Sequence, residues 1–264
     1  MKFQLKALAA AMVLAAAVPA QAAMTLGSTG NSSMSLAVFD RVNNVSALFD
    51  LGKSYSDFSI VGSSFADSNV DAAGTNFSWD LTTGDYATAW NTFLASASIA
   101  NLQFAVVGTD NNAGTTAGNK GIISTLNAET VLTVSQTVLI QQLGTWDSYL
   151  SAAQAPTGTI YQNHSLVDNG GSVGNSSFAN TLQYFGNGQN NRQGSISVGN
   201  VGQSLAVFQQ VNGTPSTIFA NNASFTLTAN GALTYVAAVP EADSWAMMLL
   251  GLGFMGFAAR RKQA

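Results

Sequence analysis

The chain has 264 residues, of which only 8% are charged, and its formal net charge at pH 7 is −4. So sparse and acidic a charge set excludes a basic nucleic-acid binder. The absence of Cys excludes a disulfide framework, a thiolate metal site and a cysteine nucleophile.

Lys2 and Lys6 precede an apolar run over residues 7–18, and Ala20 and Ala22 then supply the small residues that signal peptidase requires. This is the order of a secretory signal peptide, residues 1–22, with the cut expected after Ala22. The run is shorter than the roughly 20 residues of a membrane span. Residues 23–238 hold four basic and eleven acidic residues, a net charge of −7. Ser, Thr, Asn and Gly fill the surface positions, as in an extracellular domain solvated by neutral polar groups. Regular apolar runs and Trp79, Trp90 and Trp146 provide a core without disulfides.

Within that segment, Met34, Leu36 and Val38 alternate with small or polar residues, and alternation resumes at Val45, Ala47, Phe49 and Leu51. The intervening Asn43-Asn44 makes this a hairpin. Tyr86, Trp90, Phe93, Leu94 and Ala97 share one face of a helix. Leu102, Phe104 and Val106 mark a strand. Residues 108–119, rich in Gly, Asn and Thr, read as a loop. Residues 129–140 contain Val131, Thr133, Val134, Thr137 and Val138, and this β-branched content predicts a strand. Leu143, Trp146, Leu150 and Ala153 predict a second helix. Residues 162–203 are polar, with short strands expected near residues 181–185 and 195–198, since a structureless loop of that length is unusual. Residues 204–211 and 217–220 form another hairpin around Asn212-Gly213. Asn230-Gly231 is the strongest turn signal, because both residues accept positive φ.

Catalytic groups are scarce. His164 is the single histidine and reads as a loop residue beside Ser165 and Asp168; a triad needs three groups brought together by rigid elements. Asp67, Asp71, Asp80 and Asp85 cluster in sequence but read as capping and solvated carboxylates, short of the paired acids of a glycosidase. Asp110-Asn111-Asn112 resembles the start of a calcium loop, yet Thr115 and Gly121 stand where an EF-hand needs Gly and Glu. Glycines 170, 171 and 174 have the wrong spacing for a phosphate loop. Asn-x-Ser/Thr triplets at Asn31, Asn44, Asn76, Asn163, Asn175, Asn212 and Asn222 follow from composition. No catalytic residue, metal site or cofactor is expected.

At the far end Pro240, Glu241 and Ala242 lead into an apolar stretch, residues 245–259, closed by Arg260, Arg261 and Lys262. The basic cluster stays cytoplasmic and Trp245 suits the outer interface. Fifteen helical residues cover about 22 Å, short of the roughly 30 Å hydrocarbon core, so the anchor is weak. This order resembles the PEP-CTERM sorting signal: a Pro-Glu-Pro box, a short apolar helix and a terminal Arg-rich cluster. Ala242 departs from the third Pro of the box, and Glu241, its most characteristic member, is kept. The resemblance implies processing by an exosortase, a membrane-embedded transpeptidase-like enzyme of Gram-negative bacteria that make exopolysaccharide.

The expected fold is mainly β and sandwich-like with one or two short α-helices, preceded by the signal peptide and followed by the apolar C-terminal helix. Three segments result: signal peptide 1–22, secreted β-rich domain 23–238 and sorting tail 239–264. The expected partners are signal peptidase, exosortase, the inner membrane in transit and exopolysaccharide. The expected role is an exported surface or matrix protein, structural or adhesive and not an enzyme. A carbohydrate-binding module stacking Trp79, Trp90 or Trp146 on sugars is the alternative, and a secreted hydrolase is the third.

Overall fold

The computed structural model of the chain describes residues 24–61, 68–112, 120–127, 133–154, 164–168, 171–174 and 197–239. Both end segments lie outside these residues, apart from Val239. Among the described residues no helix is long and apolar enough to cross a membrane.

Alternation dictates the first hairpin. β1 (Ser33–Asp40) and β2 (Val45–Ser54) pair antiparallel from Asp40 opposite Val45 to Ser35 opposite Asp50. Asn44 takes φ 55° at the end of the four-residue connection, a conformation that Asn tolerates well. A single turn, α1 (Tyr55–Phe58), follows under a capping box in which Ser54 N–H donates to Asp57 Oδ2 at 2.8 Å. Next come β3 (Asn76–Asp80), α2 (Ala87–Leu94), β4 (Leu102–Asp110) and β5 (Gly121–Leu126).

The second half holds α3 (Gln136–Ala153), β6 (His164–Asp168), β7 (Gly171–Gly174), β8 (Gly199–Asn200), β9 (Ser204–Val211), β10 (Thr217–Ile218), β11 (Ser224–Leu227) and β12 (Ala232–Val236).

All pairings are antiparallel and join one sheet in the order β3-β12-β11-β9-β5-β4-β1-β2-β7-β6. β10 pairs with β9 and β8 with β4. The fold is therefore mainly β, as expected, but built from one continuous sheet and not from two stacked ones. The sheet curls far enough for Trp79 on β3 to donate its indole N–H to Leu51 O on β2 at 2.8 Å.

Each face of the sheet has its own core because side chains alternate along every strand. On one face Leu36, Val38, Phe49, Phe104, Val207, Phe225 and Tyr235 pack with Phe58 of α1 and Trp90 and Phe93 of α2. Phe58 is the hub, 5.1 Å from the Tyr235 ring and 5.7 Å from Phe225. On the other face Ala37, Phe39, Leu48, Ala105, Val107 and Phe208 are covered by Leu139, Leu143, Trp146 and Leu150 of α3. The two predicted helical faces are these two. α3 begins seven residues before Leu143, so residues 136–140 of the expected strand are helical. Burying the Leu139-to-Leu150 stripe outweighs the β preference of Thr137 and Val138.

Two other expectations are corrected. β4 continues through Gly108, Thr109 and Asp110, which are buried and not a loop. Ser32 holds Thr109 in place: its backbone N–H donates to Thr109 O at 3.0 Å and its hydroxyl accepts from Thr109 N at 2.7 Å. Of the strand expected near residues 195–198, residues 197–198 are not in a strand, and the short β8 begins only at Gly199; residues 195–196 and 181–185 lie outside the described residues.

The sorting tail and its junction with the domain

β12, second in the sheet between β3 and β11, leads into the tail. Its register with β3 sets Val236 opposite Asn76 and Tyr235 opposite Phe77. Past the strand the backbone stays tied. Ala237 N–H donates to Thr75 O at 2.8 Å, Gly74 N–H donates to Ala237 O at 2.9 Å, and Ala238 N–H donates to Asn221 O at 2.7 Å. Asn221 can accept there because it and Asn222 both take left-handed φ, 54° and 50°. Asn221 Nδ2 in turn donates to Asp71 O at 2.8 Å, and Asp71 Oδ2 accepts from Ala220 N–H at 3.0 Å. Val239 is 67% exposed, and Pro240 of the box follows it directly.

The processing residues predicted from sequence, Ala20, Ala22, Pro240, Glu241, Ala242, Trp245, Arg260, Arg261 and Lys262, lie outside the described residues. What sequence reading missed is the anchor on the domain side: Gly74, Thr75 and Asn221. The Asn221-Asn222 doublet carried a signal, since adjacent Asn residues favour a left-handed turn.

The other chemical candidates are placed as follows. His164 opens the edge strand β6, its backbone paired with Gly174 on β7, and is not in a loop. Asp80 accepts from Thr82 N–H and hydroxyl at 2.9 and 2.6 Å, a turn cap that lowers its carboxyl below the usual range. Asp71 serves the junction, and Asp85 is exposed in the turn before α2. No group of three or more His, Asp or Glu among the described residues is arranged to hold a metal. Trp90 and Trp146 are buried at 1% and 0% exposure, which withdraws them from sugar stacking. Trp79 is half-buried, with its N–H committed to Leu51.

Asp110 and Lys120 form a buried polar cluster with Asn111 and Asp147 at the β4–β5 end. Asp147 accepts from Gly27 N–H at 2.6 Å and Asn111 Nδ2 at 3.0 Å, and Lys120 Nζ donates to Asn111 Oδ1 at 3.2 Å. Burial pushes the Asp110 carboxyl up, against the pull of Asn112 N–H and the Lys120 charge. The cluster clamps α3 and the domain's first residues to β4. A cleft of about 320 Å³ opens between the start of α3 and the β9–β10 turn, and no charged side chain lines it. Its Gln210 amide is spent on Val134, donating to Val134 O at 2.8 Å and accepting from Val134 N–H at 3.1 Å.

No curated protein and no solved structure matches the chain. A family model described as the PEP-CTERM protein-sorting motif matches residues 238–262. The match begins at Ala238, among the described residues the last whose backbone is tied to the domain, and runs through the basic cluster. The C-terminal tail of this chain is a PEP-CTERM protein-sorting motif, and it marks the chain as an exported protein sorted by an exosortase.

Proposed function

We propose that the chain is a structural or adhesive protein of the cell surface or extracellular matrix, without enzymatic activity, delivered by its tail. The reading is carried by the sorting motif following a folded β domain without a linker. Signal peptidase cuts after Ala22, the apolar stretch holds the chain in the inner membrane, and Arg260, Arg261 and Lys262 stay cytoplasmic. Exosortase then cuts near Pro240, and the acidic, cysteine-free domain passes to a surface rich in exopolysaccharide.

Deleting residues 240–264 tests this. The truncated chain is expected to accumulate in a different fraction from the full chain, which localises at the surface. Mass spectrometry of the mature form should find termini at Ala23 and near Pro240. Unchanged localisation, together with an intact C-terminus in the mature protein, would reject the sorting role.

A further inference from the structure

We propose that the face around the tail exit is the docking surface for the sorting enzyme, which engages the box while the domain remains folded. The proposal rests on reading the tail as an exosortase substrate. Ala238 is fixed by its bond to Asn221, and Pro240 is two residues on. An extended chain covers at most about 3.6 Å per residue, so Pro240 lies within about 7 Å of Ala238 and the whole box within about 14 Å. A domain of this length has a radius of gyration of about 17 Å, wider than that tether. An enzyme that holds the box therefore meets the domain.

The chemistry of the face fits a protein partner. Ala72, Ala73 and Gly74 form an exposed turn beside the exit. Val236 and Val239, 46% and 67% exposed, are two of the five large apolar side chains exposed among the described residues. Asn76 and Asn222 supply a neutral polar rim. Asp71 is the acid here, and its carboxylate is engaged by Ala220 N–H. Lys53 borders the face with its ammonium 4.8 Å from the Phe77 ring centroid. An apolar centre with a polar rim is the make-up of a protein interface. The alternative, peeling the strand to reach the box, would break the Ala237 and Ala238 backbone bonds and disturb Tyr235, packed on Phe58 and Phe225.

The test follows processing of the full-length chain in a host that carries the enzyme, by pulse-chase and mass spectrometry. Ala73→Glu and Ala73→Lys are each expected to slow tail removal by about tenfold, because either charge is stranded at a dry contact. Val42→Glu, a charge at an exposed site on the distant β1–β2 turn, should process at the normal rate. A twelve-residue Gly/Ser linker between Val239 and Pro240 should restore both Ala73 variants. Normal processing of both Ala73 variants overturns the proposal. Slowing by Glu alone also overturns it, by assigning the face to anionic lipid headgroups. Faster processing of the otherwise native chain with the linker overturns it in favour of strand peeling. Failure of the sorting reading is distinct: the unaltered chain would keep its tail, and Glu241→Ala would change nothing.

Discussion

Asp40 shows how one buried side chain holds a connection in a charge-poor protein. It is 1% exposed and accepts from the backbone N–H groups of Val42, Asn43 and Ser98 at 2.9, 3.1 and 2.8 Å and from Asn43 Nδ2 at 2.6 Å. Burial pushes its carboxyl up, but these donors together outweigh burial and bring it below the 3.8 of a free carboxyl. A depressed folded value means that the ionised group stabilises the fold fully above the unfolded value and loses that contribution as pH falls through the folded one. Asp40→Asn exchanges a charged acceptor of four hydrogen bonds for a neutral one and should cost about 1–2 kcal/mol at neutral pH, with the deficit shrinking in acid. Urea melts of both proteins at pH 7 and pH 3 measure it; an unchanged deficit would mean that the charge contributes nothing.

Two glycines separate backbone need from backbone weakness. Gly144 lies inside α3 with open space where a Cβ would go. Gly144→Ala should stabilise the protein by about 1 kcal/mol, since Gly is a poor helix former. Gly231, at φ 85°, ends the β11–β12 turn, and a Cβ there would meet Trp90 Nε1 at 2.9 Å. Gly231→Ala should destabilise by about 1–3 kcal/mol through left-handed strain and that contact. Thermal melts of the two variants should move in opposite directions.

The same elements show what sequence could convey. The turn residues Asn212-Gly213 reveal the β9–β10 hairpin, whose Ile218 is exposed, while alternation reveals β1 and β2 because their register puts apolar residues on a buried face. Helical spacing reveals α2 for the same reason. Asn230-Gly231 locates its hairpin but not the turn: only Gly231 takes positive φ, and Gly231 N–H donates to Thr228 O at 3.0 Å. Thr228 then closes a three-residue loop by donating to Ala232 O at 2.9 Å, with Gly231 in the bulge position. Sequence places a strand at the start of α3 because local β preference at Thr137 and Val138 carries no information about the sheet face that the helix covers. At the junction the motif was legible, whereas the partnership of Ala238 with Asn221 depends on tertiary contact.

For the whole molecule, closure of the sheet matters most. The Trp79 N–H bond to Leu51 O, with Tyr86 O–H donating to Asp50 O at 2.6 Å, brings β3 and the turn before α2 onto β2. Burial, with the charges of Asp50 and Asp85, pushes the Tyr86 phenol up to about 12, so it remains a donor across the ordinary pH range. Trp79→Phe keeps a ring in the core and removes the N–H, at a cost of about 1 kcal/mol. Hydrogen exchange should then quicken in β3 and β12 while β1 and β4 keep their protection. Equal acceleration in all four strands would show that the bond supports the entire sheet and not its closing end.

The pairing of β3 with β12 also sets a clock. On the proposed export route, N-terminus first, residues 76–80 cross the membrane well before residues 232–236, the strand that pairs with them among the described residues. Pro240 comes four residues behind Val236. On that route β12 and the sorting box reach the far side nearly together, and the sheet gains its β3–β12 pairing only when the address has arrived.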